Sequence, residues 1–527
     1  MVGGHLAGKD LSSQDSDAAG LSRTELGFLI GLALLKLLIH LYTNAFAGYG
    51  MFRDELYYIA GTEHLGAGYV DHPPLSVWVL ALVRWILGDS LFALRLLPAL
   101  FGAAAVFLTG LIARELGGRC FAVLVAALAA LVSIIALAYD SVYSMNALDV
   151  LLWTGALYLL ARLIRTEAPR IWLALGLTLG LALLNKTGGF YFGLGLLVGM
   201  AATPQRRWLR TRWPWLAGAI ALILFSPYLA WNLSHDFAHL EFIRNATSEK
   251  YAGLSALTFL AGQLLIHNPV TVPLWLAGLV FFFALGSGRP FRWLGYVWAV
   301  GAVVLALNQH SKPEYMAPVH GALFAGGAVA LERLLTGSRL RMLRPVLVAW
   351  LALGLVLVPA VVPILPVETY IAYAGALGIR PSTAEGKQLD RLPQFYADMF
   401  GWEEMVETVA GVYRRLPARE QMRCGIYAQN YGEAGAVDFL GARFGLPKAV
   451  SGHNSYWHWG QGKELPETLI VIGGAAEDHL QAYAEVEVAA VVRSDYAMPY
   501  ENNLPIFVCR RPKLSAAQVW PRVKHFE

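Results

Sequence analysis

Two short polar stretches hold the side chains best suited to chemistry, Phe52-Arg53-Asp54-Glu55-Leu56-Tyr57-Tyr58 and Val70-Asp71-His72-Pro73-Pro74-Leu75. A carboxylate can take a proton from a hydroxyl as that oxygen attacks an electrophile. Asp54 and Glu55 are neighbours, so on a helix they point in different directions and cannot both aim at one atom. One can serve as base while the other orients a cation or a basic side chain. Asp71 and His72 stand on an extended segment made rigid by Pro73 and Pro74. Such a pair could hold a divalent cation or touch a phosphate. The plain readings are a pair of solvated carboxylates and an interfacial turn whose prolines start the next helix. Chemistry is favoured by the close succession of the two stretches beside strongly apolar sequence, where ionisable groups are costly and usually functional.

Asp149, in Ser144-Met145-Asn146-Ala147-Leu148-Asp149, lies just inside an otherwise apolar span, where a charge needs a partner. Asp140, after Tyr139, reads instead as a solvated turn or cap residue. Lys186, in Leu184-Asn185-Lys186-Thr187-Gly188, is a candidate phosphate ligand whose ordinary alternative is snorkelling to the interface. The turn His310-Ser311-Lys312-Pro313-Glu314-Tyr315 offers Lys312 for the same task. His235 and His239, at i and i+4, could share a helix face, but without a third ligand packing is favoured over a metal site. The run Gly452–Gly460 is aromatic and polar, suited to stacking on sugar rings or to a packed loop.

The elements that must position these groups are membrane helices. The chain has 527 residues, 57% hydrophobic and 15% charged, with a mean hydropathy of +0.49, far from an ordinary globular composition. Apolar runs of about 20 residues recur, each able to cross a hydrocarbon core of roughly 30 Å as a helix. Spans are expected near 25–47, 90–114, 120–138, 146–164, 171–185, 187–203, 213–231, 269–286, 293–308, 315–335 and 344–365, about eleven in all. One set of connections is rich in arginine, with Arg114, Arg119, Arg162, Arg207, Arg289 and Arg341 among its members. The positive-inside rule places that set in the cytoplasm. The Asp54 loop, the 140–146 turn, the 232–268 loop and the 310–315 turn then face outward. Residues 75–88, with Trp78, Arg84 and Trp85, are short for a span and read as an interfacial helix.

Residues 1–24 are polar and small, and read as a disordered cytoplasmic N-terminus ahead of a membrane domain over 25–365. Past about residue 366 charge rises, and short β-rich runs appear at Cys424–Ala428, Thr468–Gly473, Val486–Arg493 and Pro505–Arg510. With helical stretches before and between them, they point to an extracytoplasmic α/β domain over 366–527. Cys120, Cys424 and Cys509 lack metal-ligand spacing, and only the last two could pair. The formal charge of +4 is too small to mark a nucleic-acid binder.

Together these motifs resemble the GT-C glycosyltransferases, polytopic membrane enzymes, and in particular bacterial members of the protein-mannosyltransferase-like family 39 and the related lipid A aminoarabinose transferases. The resemblance runs across the spans and is most specific at Arg53–Tyr58, Asp71–Leu75 and Ser90–Gly102. Asn146–Asp149, Ser226–Asn232 and Lys312–Pro318 support it. It implies an α-helical polytopic fold of GT-C type. It also implies transfer of a sugar from a polyprenyl-phosphate carrier to a protein, lipid or glycan acceptor at the outer face of the cytoplasmic membrane. By this resemblance Asp54 is base or acceptor-aligning group, with Asp149 and Glu55 completing the catalytic set. Arg53, Tyr58, His72, Lys186, Lys312 and Tyr315 would bind substrate, and Asp71 with His72 could take a divalent cation. The aminoarabinose transferases carry Glu-Lys where this chain has Asp71-His72, so a fixed positive charge is replaced by an imidazole.

A lipid-borne donor needs no nucleotide, and no phosphate-cradling glycine loop is evident. A base acting opposite a departing phosphate inverts the anomeric centre. The rival reading is a lipid-linked sugar transporter or flippase without transferase activity. It would show repeated halves and charges near mid-span, whereas here the polar groups cluster at one face.

Overall fold

The computed structural model describes residues 20–250, 253–337, 339–383, 385, 387–460 and 465–527. Most of the expected N-terminal segment, residues 1–19, lies outside them. The first helix, Arg23–Phe46, starts with a capping box: Ser22 Oγ accepts from the Glu25 amide at 3.2 Å, and Glu25 Oε2 accepts from the Ser22 amide at 2.8 Å. These bonds satisfy amides that a helix start leaves without partners.

Among the described residues, six helices are long and apolar enough to cross a membrane: Arg23–Phe46, Leu91–Glu115, Met145–Thr166, Trp213–Ser234, Gly286–Asn308 and Leu340–Val361. The pair Ala256–Ile266 and Pro269–Phe283, bent by 96°, makes a seventh if it is one element. Other expected spans fall on the shorter helices Cys120–Leu131, Ile171–Asn185, Gly189–Ala202 and His320–Leu334. A 15-residue helix such as Ile171–Asn185 reaches only about 22 Å at 1.5 Å per residue. The run 120–138 is interrupted at Val132-Ser133 before the short helix Ile134–Tyr139. Residues 75–88 form the helix Leu75–Leu87, which buries Val77, Leu80 and Val83 and exposes Trp85 and Ile86. That two-sided character suits a helix lying at an interface.

Helices meet closely where glycine removes bulk, because lipid supplies no hydrophobic drive for their association. A Cβ at Gly176 would lie 2.6 Å from the Ala217 backbone, one at Gly195 2.8 Å from the Val297 backbone, and one at Gly327 1.9 Å from the Leu274 carbonyl oxygen. Asp140, expected in a solvated turn, is buried and paired with Lys36 at 2.9 Å. Gly102 makes the room, since a Cβ there would sit 2.1 Å from Asp140 Oδ2. Either charge alone would be costly at that depth, so the pair pins the first helix to the interrupted segment.

The two ends of the bundle differ in charge. At one end Arg165 pairs with Glu115 at 2.6 Å, and the Arg119 amide donates to Glu332 at 2.7 Å. Arg95 lies on the same helix as Glu115, Leu91–Glu115, and about 30 Å away along its axis. It pairs with Glu55, so the arginine-rich end and the Asp54 helix lie at opposite ends.

The C-terminal unit is built on a five-stranded sheet of order β2-β1-β3-β5-β4, with β1 Cys424–Ala428, β2 Ala449–Val450, β3 Thr468–Ile472, β4 Tyr483–Val492 and β5 Leu504–Pro512. β1 is parallel to β2 and β3, whereas β5 is antiparallel to β3 and β4. Cys424 and Cys509 are buried free thiols on strands separated by β3, so they do not pair. The helix Tyr431–Leu440 of this unit packs on the helix Arg53–Glu63, and Leu56, Tyr57 and Ala60 share a buried cluster with Val406 and Ile426. A Cβ at Gly435 would be 2.8 Å from the Leu56 carbonyl group, which shows how close the two backbones run.

Candidate active site

The helix Arg53–Glu63 opens with its acidic residues in the first turn, where exposed amides and the helix dipole favour negative charge. The two neighbours then part. Glu55 is 1% exposed and takes both oxygens to Arg95, at 2.8 and 2.7 Å, while also accepting from the Phe52 and Tyr143 amides at 2.8 and 2.7 Å. Glu55, expected in the catalytic set, thus has every acceptor direction taken and does not line the cavity, whereas its bonds hold Arg95. Asp54 keeps 38% of its side chain exposed and does line the cavity. Its Oδ1 accepts from the Tyr431 hydroxyl at 2.8 Å and lies 4.0 Å from Arg53 Nε.

That cavity, of about 1480 Å³, runs between the bundle and the C-terminal unit. Asp71 lines it and accepts from the Tyr57 hydroxyl at 2.8 Å. Lys186 lines it too, donating to Asn146 Oδ1 at 2.7 Å and standing 5.3 Å from the Tyr315 ring centroid. Lys312 approaches Glu385 at 3.6 Å on the same surface. Arg53 reaches the cavity but is largely committed to the C-terminal unit: it donates to the Tyr500 hydroxyl at 2.7 Å, approaches Glu385 at 3.8 Å and lies over the Tyr431 ring.

Three other expected residues lie off the cavity. Tyr58 is buried, accepts from the Met145 amide at 3.3 Å, and stacks on His72 at 4.8 Å. His72 is 2% exposed, with Nδ1 2.9 Å from the Pro73 carbonyl and Nε2 4.0 Å from Asp71. Asp149 is 4% exposed, one turn beyond Asn146; its Oδ1 has no hydrogen-bond partner, and the charge of opposite sign acting on it is that of Lys186. His72 thus packs against Tyr58 with its ring off the cavity wall, where substrate or cation binding was expected of it. Among the described residues no group of three or more His, Cys, Asp or Glu could hold a metal ion. Asp71 and His72 do not by themselves form a protein-built metal centre, and a cation at Asp71 would need substrate oxygens to complete its shell.

His235 and His239 do not share a face, because Asp236 and Phe237, at φ 51° and 56°, break the helix between them. His239 joins Thr187 at 3.1 Å and the Val70 carbonyl at 2.9 Å, whereas His235 stacks on Trp231. The aromatic run 452–460 is mostly packing: Tyr456 donates to Asp438 at 2.8 Å and Trp459 stacks on His64. Of its residues, Asn454 lines the cavity.

Sequence reasoning missed the contribution of the C-terminal unit. Tyr431, Glu385 and Asp398 all line the cavity. Asp398 is 3% exposed; burial pushes it up to about 6, with Arg53 beside it pulling the other way. The one local signal for Tyr431 is the capping box Asn430-x-x-Glu433, which fixes it as the first residue of its helix.

Residues 71–231 match the profile of the dolichyl-phosphate-mannose-protein mannosyltransferase family. The chain is 28% identical over 226 residues to lipid A galacturonosyltransferase RgtD of Rhizobium johnstonii; the match takes in 42% of this chain and 47% of that relative, so it spans about half of the relative's length. The crystal structure of ArnT from Cupriavidus metallidurans bound to undecaprenyl phosphate superposes with a TM-score of 0.59 at 15% identity, covering 92% of this chain and 98% of that one. Its apo structure gives 0.58 at 14% identity with the same coverage. The chain is a multi-pass membrane protein that shares the overall fold of these ArnT structures.

Proposed function

We propose that this chain is an inverting glycosyltransferase that moves a sugar from a polyprenyl-phosphate carrier to a hydroxyl or phosphate acceptor at the outer face of the cytoplasmic membrane. The observation that carries this reading is one cavity on whose wall the carboxylates of Asp54 and Asp71 stand with the ammonium groups of Lys186 and Lys312, among the further acidic residues Glu314, Glu385 and Asp398. It continues into an apolar wall of Phe190, Phe225, Leu229, Leu233 and Leu240, suited to an isoprenoid tail. The arginine-rich far end of the bundle supports an outward-facing site.

The chemistry follows from the residue types. Asp54 takes the acceptor's proton as the acceptor oxygen bonds to the anomeric carbon. The bond from that carbon to the phosphate oxygen breaks, and the carrier phosphate leaves with the electron pair. Lys186 and Lys312 offset its charge, so the leaving group needs no acid. Attack from the side opposite the phosphate inverts the centre. Burial lowers the Lys186 ammonium below the usual lysine range, and Asp149 nearby opposes that shift and favours the charged form.

The test uses purified protein in lipid with radiolabelled polyprenyl-phosphate sugars, wild type against Asp54→Asn. Label leaving the carrier in wild type, with the rate down about 10²–10⁴-fold in the variant, is the expected result. Equal release by both removes Asp54 from the mechanism. Silence of wild type across a broad donor panel, with transbilayer movement of the lipid-linked sugar instead, gives the transporter reading.

A further inference from the structure

Asp54 and Asp71, both on the cavity wall, each receive a phenolic hydroxyl, and the two phenols lean on each other. Tyr431 donates to Asp54 at 2.8 Å, Tyr57 donates to Asp71 at 2.8 Å, and the two rings stack at 4.6 Å with an interplanar angle of 27°. Tyr57 belongs to the membrane-side helix Arg53–Glu63, but its hydroxyl also accepts the Ser455 amide of the C-terminal unit at 3.1 Å. Ser455 Oγ in turn accepts the Val70 amide, next to Asp71, at 3.0 Å. Each carboxylate is therefore oriented through a group that the C-terminal unit supplies or holds.

The arrangement is built in rather than incidental. Asn430 Oδ1 caps its helix by accepting from the Gly432 and Glu433 amides at 2.9 and 3.0 Å, which sets Tyr431 at the first helical position. Gly432 and Gly435 let that helix approach: a Cβ at Gly432 would lie 2.5 Å from the Arg53 side chain, and one at Gly435 2.8 Å from the Leu56 backbone. Burial raises the phenols of Tyr57 and Tyr431 above their ordinary range, so both remain donors at any working pH. A donor on one carboxylate oxygen restricts the rotation of the group and leaves the other oxygen to the cavity.

We propose that Tyr431 is a positioning residue of the transfer reaction, aligning Asp54 as base while its stacking on Tyr57 aligns Asp71, so that the C-terminal unit is a working wall of the active site. This rests on the glycosyltransferase reading above. It assigns the unit a part in the chemical step in addition to any part in acceptor choice.

The experiment measures transfer from a radiolabelled polyprenyl-phosphate sugar that wild type accepts, using full-length Tyr431→Phe in lipid. Phenylalanine keeps the ring stack and removes one hydroxyl, so the thermal midpoint and the donor KM should stay close to wild type. The expected result is a kcat lower by about tenfold or more, from loss of a hydrogen bond to a charged group. Tyr413→Phe, whose lost hydroxyl bonds the Gln421 carbonyl away from the cavity, should keep the wild-type rate. In an Asp54→Glu background, where the carboxylate is already displaced, Tyr431→Phe should cost little more, the non-additivity of residues acting as one unit. A Tyr431→Phe enzyme with wild-type kcat, or effects of the two changes that simply multiply, overturns the proposal while the transferase reading stands. Failure of wild type to transfer from any such donor overturns both.

Discussion

Adjacent carboxylates at Asp54 and Glu55 divide their labour by which side of one helix they leave. Glu55 and Arg95 are each 1% exposed and joined through two bonds, so removing one partner strands a buried charge. Glu55→Gln should lower stability by about 3–5 kcal/mol, read as a fall in thermal midpoint and folded yield; a properly folded Glu55→Gln protein lacking only kcat would return Glu55 to the catalytic set. The lysine side divides similarly. Lys186 touches Asn146 and the Tyr315 ring at the cavity wall, so Lys186→Ala should raise the donor KM by about tenfold or more through the lost charge-assisted contact. Lys186→Arg should recover part of that loss, and an unchanged KM in Lys186→Ala would leave the phosphate to Lys312. Residue types at Asp54, Asp71, Lys186 and Lys312 were enough to nominate the site, because uncompensated charge beside apolar sequence is conspicuous. They were not enough to separate Asp54 from Glu55, or a cavity histidine from His72, because side-chain direction depends on what packs around each one.

At the scale of elements, the site depends on the contact between the helices Arg53–Glu63 and Tyr431–Leu440. The glycine at 435 faces the Leu56 backbone with no space for a side chain. Gly435→Val should cost about 1–3 kcal/mol by overpacking, and it should reduce transfer even where the protein stays folded, since it moves Tyr431 away from Asp54. Measured thermal midpoint and rate should fall together; a normal rate in a destabilised variant would detach that helix from the site. Sequence periodicity located the long apolar helices well, because a run of about 20 apolar residues has few alternatives to a spanning helix. It could not foresee the interruption at Val132-Ser133 or the 96° bend before Pro269–Phe283, which rest on packing around Asp140, Asn268 and Gly354. The two-residue strand β2 is too short to carry any pattern.

For the whole molecule, the C-terminal unit carries several buried carboxyls whose titration couples to its stability. Burial pushes Asp398, Asp438 and Glu501 up to about 6, from ordinary values of 3.8, 3.8 and 4.5. A folded-state value above the unfolded one means that the folded protein binds more protons between about pH 4 and 6. Their stabilising contribution is full below the unfolded values and is lost as pH rises through about 6. The thermal midpoint of the full-length protein in detergent should therefore fall between pH 5 and pH 7.5, by an amount equivalent to about 4 kcal/mol in total at about 1.3 per group, and a midpoint that rises over that interval would contradict the burial of these groups. Composition and apolar run length alone determined that this chain is a polytopic helical membrane protein, since lipid leaves backbone groups no partner outside a helix. The arginine distribution and the first-loop motifs likewise placed the candidate chemistry at one end, by local charge and spacing. Only the tertiary structure decided that the site is shared between the bundle and the C-terminal unit, with Tyr431 on Asp54 across 377 residues of chain. A contact of that separation leaves no trace in local pattern, because it exists only once two independently encoded surfaces have packed together.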